Sequence, residues 1–144
     1  MANGNLQLVY TLLCDDVRLE ISNKISLMGI FQHIMVESLP TSIVKFAIVN
    51  HWRGEGFHQT EVRIMSPNKD RLIITSQPTP IELATGGFTD NVSFFAGVVF
   101  QNAGTYWVQT LANSQIVEEF PLIVVAKDNI AEIAPMEEIT QTVN

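Results

Sequence analysis

The segment "HWRGEGFHQTE", which runs from His51 to Glu61, contains the side chains best suited to chemistry. If residues 52–57 form a hairpin loop, His51 and His58 lie opposite each other on paired strands, with Cβ atoms about 5 Å apart. Glu55 or Glu61 then adds a carboxylate, and two imidazoles with a carboxylate suit zinc or non-haem iron. The double-histidine pattern of cupin metal sites is absent, so a solvated or hydrogen-bonded histidine pair is the simpler interpretation.

Two tryptophans, Trp52 and Trp107, are further candidates for ligand binding. Their rings suit stacking on a sugar, as in carbohydrate-binding sandwiches, although packing in a core or interface is the simpler role for each. Asp15 and Asp16 cannot share a substrate as an acid–base pair unless the backbone bulges there, because neighbours in a strand point to opposite faces. We interpret these two aspartates as a bend or the end of the first strand.

Standard catalytic and cofactor-binding motifs are missing from the chain. There is no phosphate-binding glycine loop, G-x-S-x-G elbow, H-E-x-x-H or C-x-x-C motif. Cys14, the only cysteine, cannot form an intramolecular disulfide, and we interpret it as a small buried side chain whose pKa Asp15 and Asp16 raise. His33 is interpreted as a core or interface histidine. We predict no catalytic, metal or cofactor-binding residues, no cofactor, and a protein that is not an enzyme.

The net charge argues against nucleic acid as a partner, and the length of the apolar runs argues against insertion into a membrane. The formal net charge is −7 and the isoelectric point about 4.8, and no basic stripe interleaved with aromatic residues appears, so nucleic-acid binding is not expected. The longest apolar runs fall well short of the roughly 20 residues of a membrane-spanning helix. The apolar stretch near the N-terminus lacks the basic leader of a signal peptide, and we expect a cytoplasmic protein.

Short apolar, β-branched or aromatic runs separated by turn residues predict an all-β domain over residues 1–126. We expect "RGEG" to form a turn between two strands, "TGGFTDN" to form a loop, and Asn113-Ser114 to form a tight hairpin. About eight to nine strands are expected, at residues 6–21, 25–36, 43–52, 57–66, 71–76, 81–85, 92–100, 105–112 and 116–126. A single layer of strands would leave an apolar face exposed, so we predict a two-sheet antiparallel β-sandwich.

The last part of the chain, residues 127–144, differs in character from the rest. It is acidic, and Pro135 stops any helix within two turns. We interpret it as a C-terminal tail or as a short docking arm. In the second interpretation Ile130, Ile133 and Met136 contact a neighbouring chain.

The run "VSFFAGVVF", residues 92–100, is apolar at nearly every position rather than at alternate ones. Residues 25–36 and 120–126 behave similarly, so one face of each strand belongs in the core and something must cover the other. Only 16% of the residues are charged, against about 25% in a typical domain. The pattern favours a homo-oligomer or a complex with a protein partner over simple burial within one domain.

The segment "NAGTYWV" suggests a tyrosine corner, in which a tyrosine near the start of a strand bonds back to the backbone. Gly104 provides the positive φ and Tyr106 the hydroxyl. This reading favours an immunoglobulin-like, Greek-key sandwich without a disulfide. An ordinary core tyrosine fits the pattern equally well.

Three segments, "CDDVRLEISNKISLMGIF", "RGEGFHQTEVRIMSPNKD" and "NAGTYWVQTL", resemble an uncharacterised family of small bacterial β-sandwich domains, classed as a domain of unknown function. The resemblance covers about residues 8–126, and residues 127–144 lie outside it. It implies the fold and no catalytic residues. The resemblance rests on the spacing of turns and strands together with Asp15, Gly29, Gly56, Pro67, Gly104 and Tyr106.

These observations favour a non-enzymatic β-sandwich that oligomerises, or binds a protein partner, through apolar strand faces. Its biochemical activity is not given by the sequence. Two alternatives stay open at this point. One is a small-ligand or carbohydrate-binding sandwich that uses Trp52 and Trp107, and the other is a metal-dependent jelly-roll enzyme that uses His51 and His58.

Overall fold

The computed structural model describes residues 4–127, and within this range the chain forms strands and no α-helix. The all-β prediction is therefore confirmed. No helix in the described part has the length and hydrophobicity that crossing a bilayer requires. The strands are β1 Leu6–Leu19, β2 Ile25–Phe31, β3 His33–Val36, β4 Thr41–Met65, β5 Leu72–Thr75, β6 Thr79–Phe100, β7 Gly104–Ala112 and β8 Gln115–Ala126.

The eight strands in residues 4–127 form one hydrogen-bonded sheet that curls into a half-barrel. Their order is β2-β1-β4-β7-β8-β3, and both β5 and β6 pair with β4. All pairs are antiparallel except that of β3 with β8, which is parallel. β4 is the organising element, because it pairs with β1 along its first part and with β7 along its last.

The predicted turn "RGEG" and the predicted loop "TGGFTDN" are wrong, since β4 and β6 each run through them as one long strand. The glycines bend the two strands instead of ending them. Gly54 pairs with Gly87 and Gly56 pairs with Leu83, so three residues of β6 face the single residue Glu55 of β4. This bulge bends the β4–β6 ribbon without breaking its pairing.

The bend divides the sheet into two halves. The first half contains β1, β2, residues 41–54 of β4 and residues 87–100 of β6; the second half contains β3, β5, β7, β8 and the remaining parts of β4 and β6. Both halves contribute to one hydrophobic core. Its buried members are Leu13, Ile34, Phe46, Ile48, Val62, Ile64, Phe95, Val98, Phe100, Tyr106, Val108, Leu122 and Val124.

Buried polar side chains connect the two halves beside this core. Thr11 of β1 donates a hydrogen bond to Asn50 Oδ1 at 2.6 Å, and its hydroxyl lies 3.3 Å from that of Thr110 in β7. Thr60 of β4 donates to Asn91 Oδ1 of β6 at 2.9 Å. Buried polar groups are costly unless they are paired, so these bonds fix how the halves meet.

Two local predictions are confirmed by the backbone geometry. Asn113 and Ser114 have φ values of 51° and 70°, which is the type I′ pattern of a two-residue hairpin. Tyr106 donates its hydroxyl hydrogen to the Asn102 carbonyl at 2.8 Å, and Gly104 has a φ of 154°. The tyrosine corner is therefore present.

Most of the C-terminal segment lies outside the described residues. Lys127 is the last described residue, and its ammonium group bonds to Glu37 at 2.9 Å. Ile130, Ile133 and Met136 lie beyond it, so the docking arm stays a prediction.

Candidate functional site

The candidate site is a surface formed by side chains of neighbouring strands. Directly opposite residues of paired strands point to the same face of a sheet, so the strand pairing shows which side chains share this surface. In the first half, the face turned away from the shared core carries rows of three side chains, one each from β1, β4 and β6. We call it the outer apolar face. Its rows are Cys14–Ala47–Phe94, Leu12–Val49–Val92 and Tyr10–His51–Asp90.

The floor of the outer apolar face is fully buried by neighbouring side chains of the same half. Cys14, Ala47 and Val49 have no exposed surface. The small side chains are covered by larger neighbours, and every member of this cluster belongs to the first half. The larger apolar side chains of the face remain open to solvent, with exposed fractions of 69% for Phe88 and 54% for Phe94.

A histidine–aspartate pair occupies one end of the face. His51 Nδ1 lies 2.7 Å from Asp90 Oδ1, and the imidazole stacks on the Tyr10 ring at 5.1 Å between centroids and 11° between planes. Phe88 packs on it at 5.6 Å. Burial, and secondly the Asp90 carboxylate, raises the pKa of Tyr10. With Nδ1–H donating to Asp90, the imidazole is fixed in position.

His51 and Asp90 correspond to the base and the orienting carboxylate of an enzyme that uses a nucleophilic side chain. The third group of such a site is the nucleophile itself. Within residues 4–127, no serine, threonine or cysteine side chain is hydrogen-bonded to His51. The arrangement packs and orients an aromatic surface.

Charged groups border the opposite end of the face. Lys45 bonds to Asp16 at 3.2 Å and lies 5.8 Å from the centroid of the Phe94 ring. The Lys45 hydrogen bond, followed by that of the Val17 amide, lowers the pKa of Asp16. Burial raises the pKa of the Cys14 thiol. This cysteine is therefore a packing residue, as the sequence predicts.

The predicted pairing of His51 with His58 is wrong, because no hairpin separates them. His58 lies beyond the bend, pairs with Ile81, and is 2% exposed. Its Nε2 donates to the Glu55 carbonyl at 2.8 Å, and Asn113 Nδ2 donates to its Nδ1 at 2.9 Å. Both ring nitrogens are occupied, so His58 holds the β7–β8 hairpin against β4.

The metal site considered as an alternative for this segment is not assembled. Among the described residues, no three histidine, cysteine, aspartate or glutamate side chains come together as a metal site requires. The remaining candidate carboxylate, Glu61, belongs to the second half, where it pairs with Leu111 of β7.

The tryptophans do not form a sugar platform. Trp52 has no exposed surface and packs against Ile81 and Ala112 in a separate small core cluster. Trp107 is half-buried, with Lys69 Nζ 4.5 Å above its ring and its Nε1 donating to the Pro67 carbonyl at 3.2 Å. The prediction that Trp52 binds a sugar is therefore wrong.

Two smaller predictions have mixed outcomes. His33 is exposed on β3, so its assignment to the core is wrong and its assignment to an interface stays a prediction. Cys14 and Val17 are three positions apart yet belong to one apolar cluster. β1 runs through Asp15–Asp16 to Leu19, and its pairing with β2 has no register shift there, so the expected strand end is wrong and the bend stays a prediction.

The outer surface of the second half has a different character. Arg63 Nε donates to Gln109 Oε1 at 2.7 Å, Gln109 Nε2 donates to Glu119 Oε2 at 2.7 Å, and Lys69 bonds to Glu119 Oε1 at 2.8 Å. This continuous polar network runs across β4, β7 and β8. No comparable network covers the outer apolar face in the described residues, although the second half also exposes apolar side chains such as Phe57 and Leu72.

The chain belongs to a family of unknown function, DUF6941, whose model matches residues 9–125. The resemblance to an uncharacterised family that covers about residues 8–126 is thereby confirmed. No curated protein matches the chain significantly.

Solved structures share the fold at low sequence identity. An alkylpurine DNA glycosylase, AlkC of Pseudomonas fluorescens, is 7% identical with a TM-score of 0.55, over 84% of this chain and 30% of the glycosylase. A β-glucosidase from Listeria innocua is 10% identical with a TM-score of 0.52, over 85% of this chain and 16% of the glucosidase. The chain thus spans less than a third of either enzyme, and the likeness concerns the fold alone.

Proposed function

We propose that this protein is a non-enzymatic β-domain that works by assembling with another protein chain, foremost with copies of itself, through the outer apolar face. The observation that carries the proposal is the arrangement of that face. A fully buried floor of Cys14, Ala47 and Val49 is bordered by phenylalanines that are more than half exposed.

The size of the exposed area supports an interface. Phe88, Phe94, Ile30 and Tyr10 are exposed by 69%, 54%, 56% and 36%. At about 150–250 Å² per aromatic side chain, these fractions amount to roughly 400 Å² of apolar surface. That is as large as the biggest apolar patches of ordinary monomers, and it is half of the ~800 Å² that each partner buries in a standard interface.

The contrast between the two outer surfaces supports the choice of this face. On the second half, the side chains of Arg63, Gln109, Glu119 and Lys69 satisfy one another and have little to gain from a partner. On the first half, the exposed rings have no such partners within residues 4–127.

The core that both halves share, together with the Tyr106 corner, supports describing the curled sheet as a two-layer, immunoglobulin-like sandwich. In this description the first half is one layer and the second half is the other. The outer apolar face is then the solvent side of the first layer.

A matched pair of variants tests the proposed function. Phe94 and Phe57 are both phenylalanines of the sheet, exposed by 54% and 51%, but Phe57 pairs with Glu82 in the second half. Phe94→Ser is expected to weaken self-association at least tenfold in sedimentation velocity, and Phe57→Ser is expected to leave it unchanged. Equal effects of the two variants would contradict the proposal.

A further inference from the structure

The second part of β6 is an edge strand. Within residues 4–127, the stretch Phe88–Phe100 pairs with β4 on one side and with no strand on the other. A cleft of about 370 Å³, lined in part by Thr75–Gln77 and Ser93–Ala96, lies beside it. The backbone N–H and C=O groups of this edge are therefore available to a new strand.

This edge lacks the features that keep strand edges from pairing. Natural edge strands carry charges, prolines or bulges, or are very short. Phe88–Phe100 contains no proline, and Asp90 is its only ionisable residue. One oxygen of the Asp90 carboxylate is hydrogen-bonded to His51 of the same chain, so the side chain is held toward β4.

The other open edges do carry protective features. β8 contains Glu118, Glu119 and Pro121. β1 has a register shift between Leu8 and Tyr10, and β3 has four residues. β2 is also an open edge without charge or proline, but it has seven residues and includes Gly29 with a φ of 71°. Among the open edges in residues 4–127, Phe88–Ala96 of β6 is therefore the longest regular stretch that lacks protection.

We propose that the partner of this protein is a second copy of the chain, and that β6 of one copy pairs antiparallel with β6 of the other. The inference rests on the proposed function for the identity of the partner; its contact is the β6 edge, which borders the outer apolar face, and it is separate from packing of one face on another. In this dimer the four strands of the first half of each copy join into one sheet, in the order β2-β1-β4-β6-β6-β4-β1-β2. A two-fold axis perpendicular to the sheet keeps both outer apolar faces on the same side.

The β6 sequence suits pairing with itself. Residues 87–96 are regular strand, with ten consecutive pairs to β4. A two-fold axis centred on Val92 places Asp90 of each copy opposite Phe94 of the other, and Phe88 opposite Ala96. No like charges then face each other, and opposite partners lie on the same face of the sheet.

Amide hydrogen exchange tests this geometry directly. In the assembled protein, alternate amides of Phe88–Ala96 are expected to exchange at least tenfold more slowly than in dilute, dissociated protein, because they donate to the second copy. Packing through the outer apolar faces alone forms no backbone hydrogen bonds. An assembled protein whose β6 amides exchange as in the monomer would overturn the inference and leave the proposed function intact.

A second pair of variants separates edge pairing from general effects of charge. Ala96→Lys places a charge on the β6 edge, and Ala103→Lys places the same charge in the turn after it; both alanines are exposed. Self-association is expected to weaken more than tenfold in the first variant and to stay unchanged in the second. A wild-type protein that is monomeric at every concentration would overturn the proposed function and this inference together.

Discussion

His51 and Asp90 are joined across the β4–β6 ladder, with 2.7 Å between Nδ1 and Oδ1, although 39 residues separate them in the chain. The contact exists because β4 and β6 continue through glycine-containing segments that resemble turns. It orients an imidazole between Tyr10 and Phe88 on the outer apolar face. It also holds Asp90, the only ionisable side chain of Phe88–Phe100, toward β4 at the exposed edge of β6, which is where we place contact with a second copy.

The tyrosine corner makes a measurable contribution to stability. Tyr106 is 1% exposed and donates to the Asn102 carbonyl. Tyr106→Phe is expected to lower the free energy of unfolding by about 1–1.5 kcal/mol, the net value of a buried hydrogen bond, in urea titrations. Tyr10→Phe is the control, because the Tyr10 hydroxyl has no hydrogen-bond partner within residues 4–127. A change of equal size in both variants would show that the corner contributes nothing special.

Two glycines with nearly the same φ allow the cost of backbone strain to be measured apart from the cost of steric crowding in Gly→Ala variants. Gly29 and Gly86 have φ values of 71° and 73°. A Cβ at Gly29 would overlap the Asp15 carboxylate, whereas one at Gly86 meets no atom within 4 Å. Gly86→Ala is expected to cost about 1–2 kcal/mol from the left-handed backbone alone, and Gly29→Ala clearly more.

Removal of the crowding side chain checks this explanation. Asp15→Ala in the Gly29→Ala background is expected to bring the free energy of unfolding most of the way back toward that of Gly86→Ala, because the alanine keeps only the Cβ at 3.1 Å. If the double variant is no more stable than Gly29→Ala, the carboxylate is not the cause of the added cost.

The Cys14 thiol is expected to be inert in the folded protein. It has no exposed surface, and burial, followed by the Asp15 charge, raises its pKa, so little thiolate forms near neutral pH. Ellman's reagent is expected to react with it at least a hundredfold faster in 6 M urea than in buffer. Rapid stoichiometric labelling of the native protein would mean that the floor of the outer apolar face opens readily.

Stability should decrease in acid through Glu119. The Lys69 hydrogen bond, followed by that of Gln109, lowers the pKa of this carboxyl below its ordinary value of about 4.3. A lowered pKa in the folded state gives stability that is fully present above the unfolded pKa and is lost as the pH falls through the folded one. Glu119→Gln is therefore expected to flatten the dependence of the unfolding free energy on pH below about 4.5.

The control for this titration is Glu118→Gln. Glu118 is an exposed neighbour on β8 and forms no ion pair within residues 4–127. If both variants flatten the pH dependence equally, the acid sensitivity arises from the net charge of the protein and not from the Lys69–Glu119 pair.

The features that depend on residues adjacent in the chain could be predicted from the sequence. The I′ turn at Asn113-Ser114 follows from residues that tolerate positive φ. The Tyr106 corner follows from a glycine and a tyrosine two residues apart. In each case one or two neighbouring residues decide the structure.

The features that were missed depend on pairing over long distances. Gly54, Gly56, Gly86 and Gly87 have the composition of turns, but they face each other across one ribbon and bend it together. Reading them as loops placed Asp90 outside a strand and put His51 next to His58. A continuous β6 would have placed Asp90 opposite His51, so the alternation that continues from Phe88 through Phe94 was the available signal.

The mass of the full-length chain in solution, measured by sedimentation velocity from about 1 to 500 µM, tests the central claim most directly. A β-domain that functions through its outer apolar face is expected to shift from 16.1 kDa toward an integral multiple of that mass as the concentration rises. A single species of 16.1 kDa over the whole range would contradict it.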